Sequence, residues 1–442
     1  MTTPTAAGLT RSYVGDLTGS VGERVLLGGW VEEVQHKDDQ VRMSIRDRSG
    51  SVRAIATEPA AVAALESSTP EAAVSVVGTV RRGKKGRLQV DVEEVQELMP
   101  AQSPLPLQGK ADVHDRLEHR FLDLRAPDKF AIFNIRATVD SAIRQYLDGL
   151  GFITINTPKI SGGGSESGAA VFELPYFGKS ACLVQSIQFY AQLAIGSGFD
   201  RVYEIGPVFR AENSLTNRHA TEFTCLHVEL GWIDSDEDLM ALEEGLVRHV
   251  LTVVGERHGP EIESLFGLRV EPFEDPIPRI PLAQAVEMLG EDEEVAETGD
   301  VSARMERDLS KHVHENLGHD FVFLTDYPLA ARPFYTMAND AEGEGAAAST
   351  RSFDLLWRGV EITSGCQREH RLDRLRAQAE KELDQEALAE YLDPYYLEMF
   401  RYGAPPHGGF GIGIDRFLMI LLAQSSLQET SLFFRGPERF MP

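Results

Sequence analysis

The sequence predicts an α+β protein in which a small N-terminal β-barrel precedes a larger domain that mixes helices and strands. The first hundred residues consist of short runs rich in valine and isoleucine, which are typical of strands. From about residue 113 onward, apolar residues recur at helical spacing between isolated strand-like runs. At roughly 150 residues per domain, a chain of 442 residues accommodates two to three domains.

The barrel prediction depends on five strands and one helix. The predicted strands are 24–34, 40–47, 51–56, 74–81 and 87–98, and the predicted helix is 60–66. Residues 47–50 mark a tight turn between the second and third strands. Five strands with a helix after the third are typical of a closed oligonucleotide-binding (OB) barrel, although the strands alone also allow an SH3-like barrel.

Three prolines between residues 99 and 106 favour an extended linker. We therefore expect a barrel domain at 1–99, a hinge linker at 100–117 and a second domain at 118–442. The second domain's predicted elements are a helix at 130–150, strands at 152–155, 201–205, 224–232, 321–325 and 359–364, and an apolar helix at 417–423. The segment 291–300 holds six acidic residues in ten and is predicted to be exposed.

Composition excludes several classes of protein. With 42 % hydrophobic and 25 % charged residues, the chain is neither disordered nor collagen-like nor stapled by disulfides. No run approaches the 18 apolar residues of a membrane helix, and residues 1–16 lack the apolar core of a signal peptide, so no membrane partner is expected. Three scattered cysteines without a CxxC pair predict reduced thiols and a cytoplasmic location.

The net charge of −26 means that overall charge cannot hold nucleic acid. A nucleic-acid partner must therefore meet a local basic patch. One candidate is the run 81–87, with five basic residues in seven, and a solvated hairpin tip is the alternative interpretation.

A possible nucleotide site begins at residue 209. Arg210 and Glu212 follow a predicted strand, Arg218 and His219 lie in the next loop, and Phe223 begins the returning strand. Guanidinium groups neutralise phosphate oxygens, and an aromatic face stacks on a base. Surface arginines on a hairpin are the alternative.

Two glycine-rich segments could contact the same ligand. Residues 408–416 alternate glycines and end at Arg416, where a helix begins and anions are favoured. The stretch is neither a P-loop nor a dinucleotide fingerprint, because no Lys-Ser/Thr pair and no βαβ unit accompany it. Residues 161–168, which include Glu166, could close over a substrate or form a passive linker.

Asp354 and Glu361 are candidates for a metal site. They lie seven residues apart at the predicted ends of adjacent strands, where their oxygens could hold a hard cation together with Ser364. Ion pairs with Arg351 or Arg358 are the alternative interpretation.

Taken together and in this order, these features resemble class II aminoacyl-tRNA synthetases of the aspartyl/asparaginyl subgroup. Residues 151–158 resemble motif 1 of that family, which is its dimer element, residues 209–223 resemble motif 2, and residues 411–416 resemble motif 3. The resemblance covers nearly the whole chain. The compact spacing between motifs 2 and 3 leaves no room for the large insertion of typical bacterial aspartyl enzymes, so the chain is more similar to the archaeal and eukaryotic type.

The resemblance implies an OB-fold anticodon-binding domain, an antiparallel sheet of six or seven strands flanked by helices, and a homodimer. It also implies ATP and Mg²⁺ as cofactors, and an amino acid and a tRNA as partners. The implied contacts are with the ATP α-phosphate (Arg210), adenine (Glu212, Phe223), the outer phosphates (Arg218, His219, Arg416), magnesium (Asp354, Glu361, Ser364) and the amino acid (Glu166, Gln188, Arg368).

Two departures from the family fall in the amino-acid pocket. In aspartyl enzymes a lysine binds the substrate side-chain carboxylate, and an aspartate steadies that lysine. Here Ala191 and His227 occupy the matching positions. Loss of the cation costs several kcal/mol for a buried carboxylate unless protonated His227 or Arg368 compensates. A shift of the register by one turn is the alternative explanation.

The barrel departs from the family as well. Arg42 and Arg53 occupy the positions of an aromatic residue and a glutamine that contact the anticodon, and Gln89 replaces a glutamate. Arginine can stack on a base or pair with it, so tRNA binding is still expected, although reading of the ordinary aspartate anticodon is in doubt.

The leading hypothesis is ATP-dependent activation of aspartate, or of an aspartate- or asparagine-like amino acid, to its adenylate and transfer to tRNA. A second is a paralogue that passes the activated acyl group to another acceptor in a specialised pathway. A third is a regulator that binds nucleotide or tRNA without catalysis, against which the retained arginines argue.

Overall fold

The computed structural model describes most of the 442 residues. The described ranges are 8–37, 40–83, 86–107, 109–162, 170–213, 216–290, 293–339, 348–383 and 388–441. Two compact units divide the chain, 1–130 and 131–442.

The first unit contains a closed five-stranded barrel. Its elements are β1 (Arg11–Ser12), a 3₁₀ turn (Val14–Ser20), β2 (Arg24–Lys37), β3 (Gln40–Asp47), β4 (Gly50–Ala56), α1 (Pro59–Ser67), β5 (Ala73–Arg82) and β6 (Leu88–Met99). Strands β2 to β6 pair in the order β2-β3-β4-β6-β5, and β5 returns to β2. This closure, with the helix after the third long strand, confirms the OB barrel over the SH3-like alternative.

Alternation in the barrel strands explains their pairing. Along β3, every second residue is buried, and Val41, Met43 and Ile45 enter the same apolar cluster. Two short helices, α2 (Val113–Glu118) and α3 (Arg120–Asp123), follow the barrel in sequence, and the longer α4 (Pro127–Gly149) comes next. Helix α2 begins at residue 113, so the last part of the predicted linker at 100–117 is helical.

The second unit contains an eight-stranded sheet, two strands more than the lower expectation. In spatial order its strands are β13 (Arg279–Pro281), β14 (Phe321–Thr325), β15 (Ser352–Trp357), β16 (Val360–Gln367), β17 (His407–Gly413), β12 (Glu222–Gly231), β11 (Arg201–Phe209) and β7 (Ile153–Thr154). Six central strands pair antiparallel, and the short edge strands β13 and β7 pair parallel. Five of these eight strands match predicted ranges, and β13, β15 and β17 were not predicted.

A small three-stranded sheet and helices complete this unit. The sheet consists of β8 (Ile160–Ser161), β9 (Glu173–Tyr176) and β10 (Lys179–Leu183). The helices are α5 (Gln188–Gly196), α6 (Glu237–Phe266), α7 (Leu282–Leu289), α8 (Glu293–Thr298), α9 (Ala303–Leu317), α10 (Leu372–Glu382), a π-helical stretch (Leu388–Leu397), α11 (Glu398–Phe400), α12 (Ile414–Leu421) and α13 (Leu427–Thr430). No helix among the described residues is long and apolar enough to cross a membrane.

Candidate active site

One face of the large sheet carries the candidate site, and the other face forms the core. Directly paired residues on neighbouring antiparallel strands share a face. The registers of β15, β16, β17, β12 and β11 place one row of five residues across the sheet: Asp354, Ser364, Gly411, His227 and Glu204. The residues between them in sequence, such as Leu226 and Ile412, point into the main apolar cluster.

Glycines keep the centre of this face open. On β17, Gly409 and Gly411 alternate with Phe410 and Ile412, which enter the core. A Cβ atom at Gly409 would lie 2.2 Å from a carboxyl oxygen of Glu229. At Gly411 it would only reach ordinary contact, 3.5 Å from His227 Nδ1. The glycine stripe therefore leaves the floor bare for a ligand and makes room for Glu229.

The motif 2 hairpin holds Arg210 next to Phe223. Strands β11 and β12 pair from Arg201 to Phe209, and the Arg210 N–H donates to the Thr221 carbonyl at 3.0 Å, which extends the pairing by one residue. The guanidinium carbon of Arg210 lies 5.6 Å from the centre of the Phe223 ring. The two side chains expected to meet the α-phosphate and adenine are thus neighbours.

Arg218 and Arg416 converge from distant parts of the chain. Arg218 donates to the Glu306 carboxylate at 3.1 Å. Arg416, in the first turn of α12, donates to the Glu361 carbonyl oxygen at 2.8 Å and to the Arg218 carbonyl oxygen at 3.5 Å. These contacts bring the predicted motif 2 and motif 3 arginines to one cluster with two carboxylates.

His219 lies in the same positive environment. Partial burial, and then the Arg416 charge, lower its pKa below the ordinary value of 6.5, with Arg210 and Arg218 acting in the same direction. Glu212 opposes them, so it faces the same region. Glu212 also lines a cavity of about 430 Å³ together with Phe209 and Arg435. The charges of Arg210, Glu212 and Arg218 therefore act together on His219.

The carboxylates expected to hold magnesium lie on neighbouring strands and interact electrostatically, but one already has a cationic partner. Arg332 forms a bidentate ion pair with Asp354, at 3.1 and 2.5 Å, and donates to the Ser364 hydroxyl at 3.2 Å. Partial burial, followed by the Asp354 charge, raises the pKa of Glu361 above its ordinary value. Asp354 lies in the interior of β15, so its predicted place at a strand end is wrong.

Hard oxygen donors are therefore present, although no cluster of three or more His, Cys, Asp or Glu groups suited to a metal occurs among the described residues. The expected alternative partners of Asp354 were Arg351 and Arg358. Arg358 instead pairs with Asp320 at 2.7 Å, and Arg351 donates to Gln367 at 2.7 Å.

The predicted amino-acid end of the cleft contains a buried ion pair. Arg368 is 2 % exposed and Glu229 is 1 % exposed, and the guanidinium donates to both carboxyl oxygens at 3.0 and 3.1 Å. Tyr335 lies under Arg368, with 5.2 Å from the guanidinium carbon to the ring centre, and its hydroxyl donates to Gln188. Gln188 and Arg368 are thus brought together through Tyr335.

His227 is a neutral, buried side chain in this face. Its burial, and then the charges of Lys159, Arg210 and Arg368, lower its pKa to about 3. Protonated His227 therefore does not replace the missing lysine. Lys159 has its own counter-charge, because its ammonium group donates to Glu204 at 2.6 Å.

The structure places the other pocket predictions less centrally. Ala191 lies on α5, where its methyl group packs in an apolar cluster with Ile187, Ile195 and Val202. Glu166 lies outside the described residues.

A groove on the barrel contains the predicted anticodon contacts. Arg42, Arg53 and Gln89 all line one cavity of about 1160 Å³. Arg53 pairs in register with Gln89 across β4 and β6. The lining also includes Arg82 and Arg87 from the basic run, and it contains no aromatic side chain among the described residues.

An OB barrel, followed by a mainly antiparallel sheet that presents arginines and carboxylates on one open face, is the architecture of a class II synthetase. A family model described as tRNA synthetases class II (D, K and N) matches residues 112–436, and a model described as OB-fold nucleic acid binding domain matches residues 25–98. The chain belongs to the class II tRNA synthetases (D, K and N).

Individual relatives agree over nearly the full length. The chain is 39 % identical to the aspartate--tRNA(Asp/Asn) ligase of Aeropyrum pernix, covering 97 % of this chain and 99 % of the relative. It is 38 % identical to the ligase of the same name from Thermus thermophilus, covering 98 % and 100 %. Asparaginyl-tRNA synthetase from Pyrococcus horikoshii, solved with asparaginyl-adenylate, superimposes with a TM-score of 0.87 at 30 % identity over 98 % of this chain and 99 % of that one.

Sequence reasoning missed the residues that pair with the predicted ones. Arg332, Glu229 and Tyr335 hold Asp354, Arg368 and Gln188 in place. Glu229 could have been found, since it is two residues from His227 on the same strand face and reads as a charge in an otherwise apolar strand. Arg332 lies in a loop, so no helical or strand periodicity in the sequence indicated its role.

Proposed function

We propose that this protein activates aspartate, or an aspartate- or asparagine-like amino acid, with ATP and transfers the acyl group from the adenylate to tRNA. The observation that carries the proposal is the convergence of Arg210, Arg218 and Arg416 with Glu361 and Asp354, near an open sheet face on which Arg368 and Arg210 both act on His227. The names of the full-length relatives support the same activity.

In this proposal the chain acts by position and charge. The amino-acid carboxylate attacks the α-phosphorus in line, and pyrophosphate leaves. Arg210 stabilises charge that develops on the α-phosphate, and the neighbouring Phe223 seats adenine together with Glu212. Arg218, His219 and Arg416 bind the outer phosphates.

Magnesium is proposed to bind at Asp354, Glu361 and Ser364. The raised pKa of Glu361 supports this, because burial and then the Asp354 charge disfavour the ionised carboxylate, and a bound cation would favour it. When bound, the ion would neutralise phosphate charge. Arg332, which donates to both oxygens of Asp354, would share that carboxylate with the ion.

A tRNA partner is proposed to meet the barrel groove at Arg42, Arg53 and Gln89. We also propose a homodimer, supported by exposed apolar side chains such as Ile153 on the edge strand β7 and Phe433 near the C terminus. The domain boundaries 1–99, 100–117 and 118–442 and a cytoplasmic site of action remain proposals of the same kind.

Pyrophosphate exchange across a panel of amino acids tests activation. Exchange that depends on one amino acid is expected, and no exchange with any member would contradict the proposal. Charging of total tRNA then tests the acceptor. The replacement of the family's lysine and aspartate by Ala191 and His227 favours one second candidate, a paralogue with another acyl acceptor, for which exchange would occur without stable aminoacyl-tRNA.

A further inference from the structure

We infer that His227 determines amino-acid specificity and that its pocket selects an uncharged, hydrogen-bonding side chain, a carboxamide, over a carboxylate. The inference rests on the proposed amino-acid activation and specifies its substrate. His227 is 6 % exposed, and among the described residues neither ring nitrogen has a hydrogen-bond partner. Buried polar groups in folded proteins are nearly always paired, so an unpaired imidazole on a site face indicates a partner that the substrate supplies.

Space for such a partner exists beside the ring. His227 and Gly411 are register partners on β12 and β17, so they share the open face. If Gly411 were replaced by a residue with a Cβ atom, that atom would lie 3.5 Å from Nδ1 and 3.6 Å from Cε1 of His227, which is ordinary van der Waals contact. Because glycine supplies no such atom, a ligand atom can occupy this strip beside the imidazole.

Of the three cations that act on His227, two are already paired with carboxylates, and the third, Arg210, is assigned to the ATP α-phosphate in the proposed function. Lys159 is paired with Glu204 at 2.6 Å, and Arg368 is paired with Glu229 through two hydrogen bonds. A substrate carboxylate would therefore enter a buried site in which each of these two cations already has a carboxylate. An ion without its own counter-charge is strongly disfavoured in such a place, whereas a neutral group is not.

A carboxamide matches the remaining hydrogen-bonding groups. A neutral imidazole offers one N–H donor and one bare nitrogen acceptor. Arg368 has five N–H bonds, of which two are directed at Glu229 and one at the Cys366 sulfur at 2.8 Å. An amide NH₂ group can donate to the bare nitrogen of His227, and the amide oxygen can accept from Arg368.

Pyrophosphate exchange with the full chain tests the inference, with L-asparagine and L-aspartate as probes. We expect kcat/KM to be at least about tenfold higher with asparagine, because a site built for hydrogen bonding rejects a mismatched group. His227→Phe should raise the KM for asparagine at least about tenfold and leave the KM for ATP unchanged. His227→Gln, which retains a donor and an acceptor, should stay within about threefold of the parent.

His258→Gln is the matched control, since His258 is a buried histidine that pairs with Thr138 and Glu261, far along α6, and its replacement should leave both KM values unchanged. Equal or better exchange with aspartate would overturn the inference and leave the proposed activation intact. Exchange with neither probe would contradict the proposed function itself. If His227→Phe does not fold, the parent's preference and the His227→Gln variant still decide the question.

Discussion

Glu243 is a carboxyl group buried in the core beneath the sheet, and its ionisation should limit the stability of the protein. It lies on α6, which packs against β16 and β17, and its side chain is 0 % exposed. Neither oxygen makes a well-formed hydrogen bond among the described residues. Burial, with the Asp354 charge adding to it and the nearby Thr363 hydroxyl opposing it, raises the pKa of Glu243 to about 8.

The size of the effect follows from proton linkage. Between pH 4.5 and about 8 the unfolded chain releases a proton that the folded chain retains, so the free energy of unfolding falls as pH rises. Within this range each pH unit lowers the free energy of unfolding by about 1.4 kcal/mol, so the total decrease reaches about 3 kcal/mol at pH 7. Glu243→Gln has nearly the same shape and no charge. It should therefore stabilise the protein by up to about 3 kcal/mol at pH 7 and by almost nothing at pH 4.

Urea unfolding followed by circular dichroism at several pH values measures this difference. Glu244→Gln is the matched control on the next residue. Burial raises the pKa of Glu244, but hydrogen bonds from Arg279 and the Ile277 N–H outweigh it and lower the pKa. Its stabilisation is present above the ordinary value of 4.5 and is lost as pH falls, so this variant should lose about 2 kcal/mol at pH 7. The reasoning would be refuted if the gain in free energy of unfolding of Glu243→Gln over the parent were no larger at pH 7 than at pH 4.

Three further predictions follow from the candidate site and the groove. Arg210→Ala should lower kcat in pyrophosphate exchange by about 10²- to 10³-fold with an unchanged melting curve, and a tenfold or smaller loss would argue against its place at the α-phosphate. Asp354→Asn should leave the buried Arg332 without its bidentate carboxylate partner and destabilise the fold by about 3 kcal/mol in urea, whereas Glu361→Gln should mainly raise the magnesium concentration needed for exchange. Arg53→Ala should reduce the slope of log affinity for tRNA against log salt by about one, and an unchanged slope would place the phosphate contacts elsewhere.

The five barrel strands and five of the eight strands of the large sheet could be predicted from runs of strand-forming residues. Strand β3 matches its predicted range of 40–47, and β12 and β16 lie within two to three residues of theirs. Three strands of the large sheet, β13, β15 and β17, were not among the predicted ranges. Of these, β13 contains only three residues and owes its strand conformation to the neighbour β14. Such a short run has no period of its own, so long-range pairing decides its conformation.

The sequence predicted which residues form the site, but it did not predict which of them pair with one another. Motif spacing indicated Arg210, Arg416 and Asp354, but nothing in the sequence indicated that Arg332, which lies in a loop, occupies both oxygens of Asp354. Ion pairs between residues distant in sequence depend on the register of a whole sheet, which local propensity does not contain. His227 is a second example. Its position in the sequence allowed a protonated imidazole, but burial and the nearby cations keep the ring neutral, and those neighbours come from distant parts of the chain.

The two faces of the sheet differ in whether a buried charged group has a counter-charge. On the core face, Leu226, Val228 and Phe410 pack against helices, and an ionisable group such as Glu243 lowers stability at neutral pH. On the open face, Glu229 is equally buried and yet is held by Arg368, so that its charge is compensated. A polar group that is buried on the open face and still lacks a partner is therefore neither core packing nor part of an ion pair, and a ligand is the remaining source of the contacts it needs.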